Sequence, residues 1–283
     1  MKTAVIVSTY NQPRWLENTL TGYAVQDTSA FDVYVADDGS GPETRAVLAR
    51  MREHFGDRLH HVWHEDDGFR KCEILNRAIV AADADYLIFT DGDCIPRSDF
   101  VSTHIRNAEP LRFLSGGVIW LPRPLSEVIT PDDIRSGRIA DAGWLAAGGW
   151  PAGRDRLRLL RSETAAAVLD LLTTTRPTFN GHNASVWREA LFQVNGFDAE
   201  MGYGGLDRAL GERLTNLGLR GKQVRHRAIC FHLDHDRPYR DPAVVARNRA
   251  IRKRIRSTGA VRAARGIAEL SDPLTDRPAL NGK

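Results

Sequence analysis

The stretch Tyr86-Leu87-Ile88-Phe89-Thr90-Asp91-Gly92-Asp93 decides the fold. Its apolar residues run without interruption, as in a parallel strand buried on both faces, and they stop at a glycine flanked by two carboxylates. Glycine lets the backbone turn sharply there, so both aspartates can face one cavity. Oxygen ligands of this kind suit Mg2+ or Mn2+ bridging a diphosphate. Paired aspartates also form turns for purely structural reasons, so the place of the pair in the chain matters more than its composition.

Upstream, the chain alternates between two periods. Ala4 to Val7 reads as a first buried strand, followed by a helix opened by Pro13 and carrying Trp15, Leu16, Leu20 and Tyr23. Phe31 to Ala36 reads as a second strand, closed by Asp37-Asp38-Gly39-Ser40-Gly41. Glu43 to Phe55 is helical, His61 to Trp63 is a short third strand, and Cys72 to Ala82 is helical with Ile74, Leu75, Ala78 and Ile79 on one face. This alternation predicts an α/β fold of doubly wound type, a nucleotide-binding sheet with helices on both faces. Ligands in such sheets bind beyond the carboxyl ends of the strands, where Ser8-Thr9-Tyr10-Asn11, Asp37-Asp38 and Asp91-Gly92-Asp93 all fall.

Downstream the periods weaken. Phe113 to Leu121 reads as a strand. Pro122 to Arg156, rich in Gly, Pro and Trp, shows no period and is expected to be a flexible loop or lid, with Trp144 and Trp150 either closing over a ligand or packing on the body. Leu157 to Leu172, Trp187 to Val194 and Asp207 to Leu217 read as helices, the last stopped by Gly218. Ala228 to Phe231 is a short strand leading to His232-Leu233-Asp234-His235. Two histidines after a strand are candidate metal ligands, and imidazole together with carboxylate favours Mn2+ over Mg2+. Asp207, after Gly202-Tyr203-Gly204-Gly205-Leu206, is either a helix cap or a carboxylate placed to take a proton from an acceptor hydroxyl. Asp241 and Pro242 open a basic amphipathic helix with Val244, Ile251 and Ile255 along one face. Such a helix lies on an anionic membrane surface or packs on the body with its arginines solvated.

Bulk properties set the limits. With 39 basic and 36 acidic residues in 283, the net charge of +3 is too balanced to indicate a nucleic-acid partner. Three separated cysteines suggest neither a disulfide framework nor a zinc site, and a reducing, cytoplasmic location is expected. The amino terminus lacks the apolar length of a signal peptide, and no stretch approaches a membrane span.

Val5-Ile6-Val7-Ser8-Thr9-Tyr10-Asn11, Val35-Ala36-Asp37-Asp38-Gly39-Ser40, Asn76-Arg77-Ala78-Ile79 and Asp91-Gly92-Asp93, in that order, resemble the signature of family 2 glycosyltransferases of the GT-A fold. Asn180 to Trp187, Asn195-Gly196-Phe197-Asp198 and Gly204-Gly205-Leu206-Asp207 resemble the carboxy-terminal module of galactosyl- and N-acetylgalactosaminyltransferases, chondroitin-polymerase-type domains included. The likeness spans roughly residues 2 to 240 as one domain, residues 1–95 the nucleotide-binding half and 96–240 the metal and acceptor half, with 241–283 a helical tail. It implies a metal-dependent, inverting transfer of a hexose of Gal, GalNAc, Glc or GlcNAc type from a UDP-sugar to a hydroxyl on a carbohydrate, lipid-linked or small-molecule acceptor. Ser8, Tyr10 and Asp38 would hold uracil and ribose, Arg70 would approach the base or diphosphate, and Asp91 the ribose or metal-bound water. Asp93 with His232 or His235 would hold Mn2+ or Mg2+, Asp207 would be the general base, and Gly204, Gly205 and Asn183 would meet the acceptor. Leu206 stands where the family usually has the glutamate that contacts the acceptor sugar. Two other functions compete. A nucleotidyltransferase would show a glycine-rich, arginine-containing loop after the first strand, which Ser8-Thr9-Tyr10-Asn11-Gln12 is not. A non-catalytic nucleotide-sugar-binding module is suggested by Leu206 and opposed by the retained Asp and His set.

Overall fold

A computed structural model describes residues 1–151, 153–236 and 241–270. The helices are α1 (Pro13–Ala24), α2 (Pro42–Phe55), α3 (Lys71–Ala81), α4 (Phe100–Asn107), α5 (Arg123–Val128), α6 (Pro131–Arg135), α7 (Ala142–Ala147), α8 (Glu163–Leu172), α9 (Arg188–Gln193), α10 (Leu206–Asn216) and α11 (Pro242–Thr258). The strands are β1 (Thr3–Thr9), β2 (Asp32–Asp37), β3 (Leu59–Trp63), β4 (Tyr86–Asp91), β5 (Cys94–Pro96), β6 (Arg112–Trp120), β7 (Ala184–Trp187) and β8 (Arg220–His232).

All eight strands form one mixed sheet in the order β3-β2-β1-β4-β7-β6-β8-β5. β1 to β4 are parallel, with Ser8 beside Asp91 and Thr9 beside Asp37. Strand β7 runs antiparallel to β4 and to β6, and β8 runs parallel to β6. Two reversals restore the original direction, so β1, β2, β4, β6 and β8 all end at the same edge. Trp120 pairs with His232 there. The antiparallel β7 and β5 begin at that edge, which brings His182, two residues before β7, and Asp93, directly before β5, to it as well.

Alternate residues of β1 feed opposite cores, as the two-residue period of a strand requires. Ala4 and Ile6 pack with α3, α9 and α10 residues, and Val5 and Val7 with Leu16, Leu20, Val47 and Met51. This is the GT-A arrangement, an α/β sheet with helices on both faces.

Several expectations change. Residues 122–150 are not an unstructured lid. Thr130 caps α6 in a capping box and Asp141 caps α7. Leu125, Ile129, Ile134, Ile139, Leu145 and Trp150 form a third core with Ile119, Phe231 and Leu233, so Trp150 packs on the body. The long helix expected from Leu157 begins only at Glu163, capped by Ser162, after a 3-10 turn over Gly153–Leu159. Strand β8 has 13 residues, far longer than Ala228 to Phe231.

The carboxy-terminal helix docks on the body. Ile255 belongs to the same core as Leu206, Leu210 and Leu214, and Ile251 packs against it. Asn248, 1% exposed, donates to the carbonyls of Gly202, Tyr203 and Gly204 at 2.9, 3.2 and 2.9 Å. The apolar stripe read from the sequence therefore faces protein, which leaves the membrane-surface reading without its apolar contact. The rest of that tail, 271–283, lies outside the described residues.

Candidate active site

The convergent strand ends line a cavity of about 500 Å³. Ser8 comes from the end of β1, Asp38 follows β2, and Asp91 ends β4. Trp120 ends β6, and His232 ends β8. The turn between Asp91 and Asp93 is held tightly. Gly92 N donates to Ser8 O at 2.7 Å, and Thr19 donates to Gly92 O at 3.0 Å. A Cβ on Gly92 would come within 3.1 Å of Ser8 O, which explains the glycine between the aspartates.

Asp91 and Asp93 have different partners. Asp91 Oδ1 accepts from Ser8 Oγ at 2.8 Å and from the Lys71 ammonium at 2.6 Å. Burial pulls the Lys71 ammonium down, but the charge and hydrogen bond of Asp91 outweigh it and hold the group above its ordinary value, with help from Asp207 and Asp93. Burial pushes the Asp91 carboxyl up, yet Lys71 overrides both burial and Asp93, and the carboxyl stays below its usual range. Asp93 faces the histidines instead. Its Oδ2 lies 2.6 Å from His235 Nε2 and 3.7 Å from His232 Nε2. Burial opposes its charge, but His232 and His235 together hold it well below the carboxylate range.

The donor set around Asp93 fits a divalent cation. His232 Nδ1 lies 2.7 Å from Leu233 O and His235 Nδ1 2.7 Å from Asp236 O. With those carbonyls beside each Nδ1, both Nε2 atoms face Asp93, the orientation in which carbonyl-anchored histidines can serve as metal ligands. The rings are parallel within 7°, and Trp120 lies 4.2 Å from the His232 ring. Cys94 Sγ is also within ligand distance of this group. Burial pushes its thiol far up, so it stays protonated and donates to Asp93 Oδ1 at 3.2 Å.

Asp207 lies in the first turn of α10, after Gly204 (φ 105°) and Gly205 (φ 82°), left-handed positions where a side chain would be strained. Gly181 N donates to its Oδ2 at 2.9 Å, and the residue lines the cavity.

Not every expected residue reaches the cavity as read. Asp38 does, but its carboxylate is already held by His64 Nε2 at 2.7 Å and Arg70 N at 3.0 Å. Tyr10 lies at the rim, 44% exposed, donating to Asp66 at 2.9 Å. The Arg70 side chain turns away to Glu65 O, and the next residue, Lys71, occupies the cavity. Asn183 is not at the cavity at all. It is fully buried, its amide donating to Gly117 O and Ala228 O and its Oδ1 facing His104 Nε2 at 3.0 Å. Its neighbour His182 lines the wall instead, and burial pulls that imidazole down against the pull of Asp91 and Asp207. Lys71, Trp120 and His182 are the residues sequence reasoning missed. Two of them sit one position from a residue it named.

A comparison with models of known families matches residues 4–120 to glycosyl transferase family 2. The match spans the strands from β1 to β6. The matched segment ends at Trp120, at the cavity wall. Among sequence relatives, the validoxylamine A glucosyltransferase of Streptomyces hygroscopicus subsp. jinggangensis is 29% identical over 232 residues, covering 76% of this chain and 52% of its own length. AglD, a glycosyltransferase of Haloferax volcanii, is 32% identical over 135 residues, covering 43% and 20%. The chain thus spans about half the length of the validoxylamine relative. Among solved structures, S. aureus TarS 1-349 in complex with UDP-GlcNAc superposes with a TM-score of 0.61 at 16% identity, covering 95% of this chain and 69% of the other. A mannosyltransferase from Pyrobaculum calidifontis in complex with GDP-Man and Mn2+ gives 0.54 at 22% identity, covering 84% and 58%. These two likenesses concern the fold.

Proposed function

We propose that the chain is an inverting glycosyltransferase that moves a hexose from a UDP-sugar to an acceptor hydroxyl. One observation carries the reading: a single cavity edge gathers Asp91, Asp93, His232 and His235 together with a separate carboxylate, Asp207. The first group suits a nucleoside diphosphate and its cation, and the second suits the attacking hydroxyl. The similar structures, in complex with GDP-Man and Mn2+ and with UDP-GlcNAc, support the same class of donor.

Asp93, His232 and His235 would hold Mn2+ or Mg2+, which when bound neutralises charge on a diphosphate leaving group. Ser8 and the Lys71 ammonium orient Asp91 toward the donor side. Asp38, with both oxygens anchored, presents its remaining lone pairs to a base N–H. Asp207, its orientation set by Gly181 N, accepts the proton of the acceptor hydroxyl as that oxygen attacks the anomeric carbon, worth roughly 10²–10⁴-fold. Direct displacement at that carbon inverts it. Trp120 offers an aromatic face suited to sugar C–H groups. The residues of the carboxy-terminal resemblance serve partly as framework, Asn183 above all, so the reading extends to Gal, GalNAc, Glc and GlcNAc donors alike.

A screen of UDP-Glc, UDP-Gal, UDP-GlcNAc, UDP-GalNAc and GDP-Man for binding and hydrolysis with Mn2+ tests the class. Absence of binding and turnover with every donor would refute it. Asp207→Asn keeps an oxygen for Gly181 N and is expected to lower transfer by about 10²–10⁴-fold with UDP affinity within about twofold. Unchanged transfer would remove Asp207 as the base.

A further inference from the structure

Tyr203, Gly204 and Gly205 form a wall between the main cavity and a second hollow of about 390 Å³ between α10 and α11. Arg208, Arg249 and Arg252 line that hollow. Asp207 and Arg208 are consecutive in the first turn of α10, so about 100° of helical rotation sends one to each side of the wall. The base candidate thus borders the basic hollow directly.

The hollow is basic and only partly neutralised. Arg252 pairs with Glu212 at 2.7 Å, and the same Glu212 oxygen takes Arg256 at 2.7 Å. Arg208 and Arg249 form no ion pair or hydrogen bond among the described residues. The geometry is also fixed rather than incidental. Asn248 ties α11 to the glycine loop through three carbonyls, and a Cβ on Gly205 would come within 3.2 Å of Arg252 Cδ. The loop is bare where an arginine crosses it. The amino-terminal end of α10 adds its partial positive charge on the same side.

We propose that this hollow receives a phosphate group of the acceptor, so that the preferred acceptor is a phosphate ester whose hydroxyl reaches Asp207 across the Tyr203–Gly205 wall. Three arginines lining one space match the charge and oxygens of a phosphate better than those of a neutral sugar. The proposal rests on the glycosyltransferase reading and adds the acceptor class to it. The ester is either a soluble sugar phosphate or a lipid-linked one, since both carry the same group.

The test is calorimetric titration of inorganic phosphate into the full chain saturated with UDP and Mn2+, which fills the donor side first. Wild type is compared with Arg208→Gln and Arg249→Gln, and with Arg254→Gln on the solvent side of α11. Each of the first two is expected to weaken phosphate about tenfold, as the loss of one charge-assisted hydrogen bond does, while Arg254→Gln leaves it unchanged and UDP affinity is constant throughout. No phosphate binding by wild type, or equal weakening in all three variants, overturns the proposal. Displacement of phosphate by glucose 6-phosphate supports a soluble ester and displacement by a short prenyl phosphate a lipid-linked one; displacement by neither also overturns it. Failure of the donor reading would appear separately, as loss of UDP-sugar binding by wild type.

Discussion

Replacing Lys71 by methionine tests how the acidic site is held together. The side chain keeps its unbranched stem, one atom shorter, and loses its charge. Its ammonium sits 2.6 Å from Asp91 Oδ1, with the two side chains 26% and 25% exposed. It is also the cation that offsets Asp93 and Asp207. Breaking a fully buried pair by removing one partner costs about 3–5 kcal/mol, and an exposed pair is worth about 0–1. A pair one-quarter exposed falls between, at about 2 kcal/mol. For a chain of this size that lowers the melting temperature by about 4–8 °C. The ammonium is held above its ordinary 10.5, so its contribution is complete below that value and is lost only as pH rises through the raised one. The deficit should therefore be the same at pH 6.5 and pH 8.5. Urea denaturation in EDTA measures it, and a second series with saturating Mn2+ should restore at least half, because a cation at Asp93, His232 and His235 supplies the missing positive charge. A deficit below about 0.5 kcal/mol in EDTA, or equal gains from Mn2+ in both proteins, would refute the account.

Two further predictions concern the buried frame behind the site. His104, between Ser185 Oγ at 2.7 Å and Asn183 Oδ1 at 3.0 Å, is driven down to about 4 by burial, against an ordinary 6.5. Its neutral form stabilises the fold above the ordinary value and that contribution is lost as pH falls toward 4, about 3 kcal/mol in all. His104→Gln should flatten the stability profile between pH 6.5 and 4.5 in urea titrations, and parallel profiles would show that another group controls it. Gly116→Ala would place a Cβ 1.9 Å from Asn183 Oδ1, an amide already tied to Gly117 O and Ala228 O. A loss of about 3 kcal/mol or more is expected from overpacking and broken hydrogen bonds, and a urea midpoint near wild type would contradict it.

The sequence alone determined the parallel half and its ligand-facing edge. Strands β1, β2 and β4 are buried on both faces, so their residues must be continuously apolar, and polar Ser8, Asp38 and Asp91 mark where burial stops. That signal is local, and it was legible. Lys71 and His182 were missed because the neighbours Arg70 and Asn183 are equally polar, and which of two adjacent side chains faces a cavity depends on the backbone path. Residues 122–150 read as aperiodic because three short helices of five or six residues complete too few turns to show a period. Their apolar residues are instead matched to Ile119 and Phe231, far away in the chain. The tertiary structure also decided the meeting of Asp93 with His232 and His235. It depends on β7 entering the sheet antiparallel, so that β6 and β8 end at the same edge as β4, and pairing between strands about 70 or more residues apart leaves no mark in local composition.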